Sequence, residues 1–265
     1  MKIMTFNIMH DKYTNKEKYP HCNKEYLNYE YRIKIIRDII ISKNVDIIVL
    51  QEADSLKLDD FKFEDFILFY QNDKARQKKL DKYQAGEIST IHSLINIILI
   101  NKKLFNTHYM DIDIEFKSYS RYISCKFNYN GILLEITNVH LDLNDEENRL
   151  KHLNKIIKFH NNDDNDNNHA HIIIGDFNDI VDNLDKILVN YENVYKTHGF
   201  PKFTYKGYDR GDFNEFVIDH LYHTKNIICN NYEISNESVL PSDKYPSDHL
   251  YIIFEIEIDV DIINN

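Results

Sequence analysis

Glycine and proline are scarce in this 265-residue chain, at 6 and 4 positions. Few segments are therefore marked as flexible linkers, and a single domain over residues 1–265 is expected. Cysteine is scarcer still. Cys22, Cys125 and Cys229 are odd in number, widely spaced and form no Cys-x-x-Cys pair, which argues against a disulfide framework and for reduced thiols. No apolar run approaches the roughly 20 residues of a membrane helix, and no repeat is present. Residues 1–7 lead into an apparent strand without a basic segment or a small-residue cleavage site, so an intracellular, cytoplasmic protein is expected. Positive charge is in deficit, with a formal net charge of −11. That argues against a broad basic face gripping long duplex DNA. A small anionic substrate or a locally held single strand stays open, and carboxylates gathered to hold cations would add to the acidity.

Hydrophobic residues at 43% and charged residues at 28% suit a soluble chain able to bury a sizeable core. The apolar residues fall in short runs over 2–8, 45–50, 94–100, 132–139, 171–174, 216–222 and 250–258. Near-continuous β-branched runs of this length fit strands covered on both faces. Two segments carry a helical stripe instead: Ile33, Ile36, Ile39 and Ile40 within 29–42, and Leu150, Leu153, Ile156 and Ile157 within 145–159. Asn144 or Asp145 is the N-cap of the second. The polar stretches 72–88 and 161–168 read as loops. Strands outnumber helices and not every strand is followed by one, which points to packed sheets with helices outside rather than a doubly wound parallel sheet.

Carboxylates, amides and imidazoles repeatedly sit inside or at the ends of these runs: Asn7, Glu52, His140, Asp176 with Asn178, Asp219, and Asp248 with His249. A polar group there costs free energy unless it is paired or coordinates something. Taken singly, each has a structural explanation, since Asp-x-Asn after a strand is also a turn and cap signal. Their recurrence is the signal for one converging site. Gly-Asp-Phe-Asn occurs twice, at 175–178 after a strand and at 211–214 in a polar segment. The chemistry is assigned to the first copy, and Asp212 and Asn214 are taken as loop residues.

Thr-Phe-Asn-Ile (5–8), Leu-Gln-Glu (50–52), Val-His-Leu (139–141), Gly-Asp-Phe-Asn (175–178), Ile-Asp (218–219) and Ser-Asp-His (247–249) together resemble the ordered motif set of the endonuclease/exonuclease/phosphatase superfamily. Tyr-Pro-His-Cys (19–22), the stretch from Leu27 to Arg32, and residues 240–249 are similar to its deadenylase, nocturnin and Angel group. The resemblance implies an α/β fold of the deoxyribonuclease-I type, a four-layer α/β sandwich with two packed mixed sheets flanked by helices. It also implies Mg²⁺-dependent hydrolysis of a phosphate ester, with Mn²⁺ as a substitute. Glu52 would be the principal metal ligand, with Asn7 and Asp248 nearby. Asp176 would orient or deprotonate the attacking water. His249, held by Asp219, would act on the phosphate or the water, and Asn178 and His140 would donate hydrogen bonds to phosphoryl oxygens. A second metal could use Asp176.

On the substrate side the resemblance places Phe213 or Phe216 where a base-stacking aromatic is expected, and Arg149 on the helix after His140. The implied function is a 3′ exoribonuclease acting on single-stranded RNA, poly(A) by preference. The alternative is an enzyme of a small nucleotide, NADP(H) or 2′,5′-oligoadenylate. Asp142 and Asn144 stand where the nocturnin type carries basic residues, which weakens the NADP(H) reading, and the family's Asp-Gly is replaced around Ser93. A catalytically silent scaffold fares poorly, because each matched position keeps its functional group. A DNA-repair endonuclease is disfavoured by Met9, where an Asp is typical.

Overall fold

Successive side chains of a strand point to opposite faces, and this alternation sorts the apolar residues into three packed regions. The structure, a computed structural model, describes residues 1–72, 74–87, 94–105, 114–163, 169–209 and 212–259. In chain order these form β1 (Lys2–Asn7), α1 (Tyr29–Ser42), β2 (Ile47–Asp54), β3 (Phe66–Tyr70), α2 (Lys74–Gln84), β4 (Leu94–Asn101), β5 (Glu115–Ser118) and β6 (Tyr122–Tyr129). There follow β7 (Ile132–His140), α3 (Glu146–Asp163), β8 (His169–Asp176), α4 (Val181–Leu184), β9 (Glu192–Asn193) and α5 (Val194–His198). The last elements are β10 (Tyr205–Asp209), β11 (Asp212–Phe216), β12 (Asp219–His223), β13 (Ile227–Ile234) and β14 (Ile252–Ile258).

Two six-stranded sheets result, one ordered β13-β14-β1-β2-β4-β3 and the other β5-β6-β7-β8-β12-β9. Each contains one parallel pair, β1 with β2 and β7 with β8. Parallel neighbours need a long crossover, and α1 and α3 lie in those two connections. The inner faces meet through Ile3, Ile47, Val49 and Ile98 of the first sheet and Ile136, Ile172, Ile174 and Leu221 of the second. Met4, Phe6, Ile48 and Leu50 face the other way and pack on Ile33, Ile36 and Ile40 of α1. On the far side Val139, Ile173 and Tyr222 pack on Leu153 and Ile156 of α3. The four-layer sandwich expected from the sequence is the observed architecture.

Packing rather than capping holds these helices in place. Asn28 caps α1 by accepting from the Glu30 amide at 2.8 Å, worth about 1 kcal/mol. The three buried isoleucines of α1 contribute about 1.5–3 kcal/mol each relative to exposure. Asp145 caps α3, accepting from the Asn148 amide at 2.9 Å.

Four local expectations are corrected. Residues 161–163, read as the start of a loop, are the last of α3. The stretch 72–88 contains α2 rather than only loop. Its composition favours helix but carries no apolar stripe, so periodicity is blind to it. The run 216–222 is divided between β11 and β12, with Val217 and Ile218 between them. Asp212 and Asn214 belong to β11, which pairs with β10 in a two-stranded ribbon, rather than to a loop. Gly211, Ser93 and residues 164–168 lie outside the described residues.

Candidate active site

The inner-face alternation ends in polar residues at one edge of the sandwich. On β7 the inward series runs Leu134, Ile136, Asn138, His140; on β8 it runs Ala170, Ile172, Ile174, Asp176. His140 and Asp219 are the lateral partners of Asp176 on either side, so the three occupy one row of the second sheet. From the first sheet Asn7 reaches across, and its Nδ2 donates to Asp176 Oδ2 at 3.0 Å.

Beneath this row lies a buried polar layer. Asn138 Nδ2 donates to the carbonyls of Leu50 (2.9 Å) and Ile97 (2.8 Å), and Gln51 Nε2 donates to Asn138 Oδ1 at 2.8 Å. These bonds join the sheets directly under the site. Gly175 permits the close approach: a Cβ there would lie 2.2 Å from the Val139 carbonyl oxygen, at a φ of +136°. Glu52 is set by a different device. The β2–β4 register shifts between Leu50 and Ala53, and Glu52 itself has φ +61°. This irregularity re-aims the side chain, so that its carboxylate accepts from the His10 amide at 2.7 Å and lies 3.6 Å from His140 Nε2.

Loops complete the cluster. His249 Nδ1 bonds Asp219 Oδ2 at 2.9 Å, an oxygen that also accepts from Thr204 Oγ1 at 2.7 Å. His249 Nε2 and His140 Nε2 lie 3.8 and 3.7 Å from the same Asp176 Oδ2. Asp248 accepts from the Tyr19 hydroxyl at 2.5 Å and faces Lys18 at 3.6 Å. Arg32, fully buried, donates to the carbonyls of Ile8, Met9 and Pro246 at 2.8–3.1 Å and thereby pins the segment after β1 to the one before β14. Ser247 Oγ adds a 2.6 Å bond to the Asn7 carbonyl.

A model of the Endonuclease/Exonuclease/phosphatase family matches residues 4–249. The chain belongs to that family. Its members are divalent-metal-dependent hydrolases of phosphate esters, and this chain is such an enzyme. A Bacteroides vulgatus endonuclease/exonuclease/phosphatase superposes with TM-score 0.70 at 18% identity, covering 97% of this chain and 98% of that one. ANGEL2, a 2′,3′-cyclic phosphatase, does so with TM-score 0.70 at 13% identity, over 96% and 94% of the two chains. TDP2 of D. rerio, complexed with a single-strand DNA product, gives TM-score 0.69 at 13% identity over 97% and 98%. CCR4-NOT transcription complex subunit 6-like-A of Xenopus laevis is 45% identical over 53 residues, 20% of this chain and 10% of that protein. The chain thus aligns with about a tenth of that relative's length.

For this family member the electrostatics of the cluster are uneven. Burial pushes the Asp176 carboxyl up to about 6, against the pull of His249. Burial would lower His249, yet Asp219 and then Asp176 and Asp248 outweigh it and raise the imidazole to about 10. His140 is lowered by burial despite Asp176. Glu52 is raised by burial and by Asp248. Two mutually repelling carboxylates in a buried setting are the donor set that a cation would relieve.

One cavity of about 720 Å³ is lined by Glu52, His140, Asp176, Asn178, Asp248 and His249. Asn7 and Asp219 stand behind it, bonded to Asp176 and His249. Asn178 has φ +51°, its amide nitrogen donates to Asp176 Oδ1 at 2.9 Å, and its Nδ2 donates to the Leu141 carbonyl at 3.0 Å. Phe216 lines the cavity. Phe213 does not; it packs on Tyr208 and His21. Arg149, expected beside the substrate, instead braces the segment after β7. It pairs with Asp179 at 3.0 Å and donates to the Asp142 and Leu143 carbonyls, bonds that hold its guanidinium on the protein. Residues not singled out one by one in the sequence also contribute: Tyr13, Lys18, Arg121 and Tyr205 line the cavity. Tyr19 and Arg32 fall within the stretches 19–22 and 27–32; nothing in the sequence marks Thr204.

Proposed function

We propose that this chain is a Mg²⁺-dependent 3′ exoribonuclease that shortens single-stranded RNA, with poly(A) preferred. The observation that carries this reading is the composition of the 720 Å³ cavity. One wall is the polar cluster. Beside it, with Tyr205 packed on His249 at 4.7 Å between ring centroids, stand the rings of Tyr205 and Phe216, cross-strand partners with centroids 6.4 Å apart and planes within 17°. Such rings offer stacking faces to unpaired bases, worth about 1–3 kcal/mol per base. The 53-residue likeness to CCR4-NOT transcription complex subunit 6-like-A supports the same reading.

Glu52 and Asp248, with Asn7 beside them, would hold the cation; oxygen donors of this kind suit Mg²⁺, and Mn²⁺ can replace it. When bound there, such a cation would supply Lewis-acid charge toward the phosphate ester. The remaining work falls to the chain's own groups. Asp176, aligned by donors from Asn7 and Asn178, takes a proton from the attacking water at Oδ2. His249, charged and held by Asp219, presents its Nε2–H to a phosphoryl oxygen. His140 Nε2 flanks Asp176 Oδ2 at 3.7 Å and adds a second donor where charge develops.

A second reading, a phosphatase or phosphodiesterase of a small nucleotide such as NADP(H) or 2′,5′-oligoadenylate, is favoured by the cavity's cations. Its lysine and arginine, Lys18 and Arg121, face the carboxylates of Asp248 and Asp142, and they form no basic track. A substrate panel separates the readings. Mononucleotide release from 5′-labelled oligo(A), dependent on Mg²⁺ or Mn²⁺ and abolished by Glu52→Ala with the fold intact, is the expected result. Inertness on RNA with phosphate release from NADP would favour the second, and inertness on both would overturn the two together.

A further inference from the structure

At the opposite end of β7 and β8 from the cavity, three ligand-type side chains converge on the outer face of the second sheet. Leu134 and Ile136 face the inner core, so Glu135 points outward; Ala170 and Ile172 face inward, so His169 and His171 point outward as well. Above them His160 comes from the last turns of α3. Glu135, His160 and His169 are all buried, with 5–8% of their surfaces exposed.

The distances separate two explanations. Glu135 Oε2 lies 3.6 Å from His160 Nδ1 and 3.5 Å from His169 Nε2. These separations are too long for good hydrogen bonds. They are close to the ligand–ligand edge of a tetrahedral site, about 3.4 Å for metal bonds of about 2.0–2.1 Å. All three atoms lie within 4.8 Å of one another, and the two imidazole rings are 4.3 Å apart between centroids. Glu135 Oε2 has no hydrogen-bond partner among the described residues. Its nearest fixed positive charge is Lys126 Nζ, at 3.8 Å. His171 packs on His160 at 4.5 Å but is itself engaged, with Nε2 on Thr137 Oγ1 and Nδ1 on the Tyr191 hydroxyl, both at 2.8 Å. It is therefore a neighbour of the cluster and not a ligand.

We propose that Glu135, His160 and His169 form a second metal site, separate from the catalytic cavity, for a divalent transition-metal ion. Two imidazoles and one carboxylate are a donor set suited to Zn²⁺ and poorly suited to Mg²⁺, which prefers oxygen. Water completes a four-coordinate shell. The ion joins α3 to β7 and β8, and its role is structural: it fastens the outer helix layer to the sheet at the end remote from catalysis.

The test uses the metal-stripped full chain with excess Mg²⁺ present to occupy the catalytic cavity. Co²⁺ serves as the visible-absorbing probe, and Zn²⁺ is titrated against a chromophoric chelator. One equivalent of Co²⁺ with the intense bands of a tetrahedral site, displaced by Zn²⁺, is expected. Glu52→Ala keeps this equivalent. His169→Gln and Glu135→Gln weaken it at least tenfold while His169→Gln retains hydrolytic activity. A rise in melting temperature with micromolar Zn²⁺, absent in His169→Gln, is the second readout. Absence of transition-metal binding in Glu52→Ala overturns the proposal whatever the other variants do. Unchanged binding in a folded His169→Gln overturns it equally.

Discussion

Asn7 on β1 and Asp176 on β8 are joined across the two sheets by a 3.0 Å hydrogen bond from Asn7 Nδ2 to Asp176 Oδ2. Both side chains are fully buried, and the Asn7 carbonyl is tied to Ser247. The bond therefore fixes one sheet's end against the other at the point where the nucleophilic water is proposed to sit. Asn7→Ala should lower kcat on oligo(A) by about 10²- to 10³-fold, the usual cost of losing one preorganised donor. Circular dichroism should show the fold retained.

The two candidate stacking aromatics separate cleanly. Phe216 lines the cavity beside Tyr205, whereas Phe213 packs on His21 and Tyr208. Phe216→Ala should weaken oligo(A) binding by about 1–3 kcal/mol, read as a raised KM. Phe213→Ala should leave KM close to that of the parent enzyme.

Gly175 is held at φ +136° with the Val139 carbonyl oxygen 2.2 Å from where a Cβ would stand. Backbone cannot yield as a flexible side chain can. Gly175→Ala should destabilise the protein by about 3 kcal/mol or more, from strain and overpacking combined. Urea unfolding should show a lowered midpoint, and because Asp176 follows directly, activity should fall as well.

Acid should destabilise this fold through histidines that it keeps neutral. Burial lowers His220 and His223, outweighing their bonds to the Asp179 and Thr224 carbonyls. A group with a lowered folded pKa is protonated first in the unfolded chain. Its contribution is present above the unfolded value, about 6.5, and is lost as pH falls toward the folded value. His223→Gln should therefore flatten the decline in melting temperature between pH 7 and pH 5.

Much of the site was legible because the chemistry-bearing residues sit at strand ends in the chain itself. Asn7, Glu52, His140, Asp176, Asp219 and His249 interrupt apolar runs, and an interruption of that kind is visible without coordinates. The helix over residues 29–42 was equally legible, since its isoleucines repeat at the helical period. The polar helix α2 was not, because a helix without an apolar stripe leaves no period to read. Thr204 was invisible for another reason: a threonine becomes part of the site only when folding brings its hydroxyl to Asp219.

The sequence by itself determined the family and, through that resemblance, the class of chemistry and the four-layer architecture, because the ordered motifs are read from the chain without coordinates. Only the tertiary structure decided which of Phe213 and Phe216 lines the cavity, since both lie on β11 and the fold of the β10–β11 ribbon sets what each one touches. It also turned Arg149 onto Asp179 and revealed the bulge that aims Glu52. It brought Glu135, His160 and His169 together from two strands and a helix. Such relationships depend on distances between residues far apart in the chain, and no local pattern encodes them.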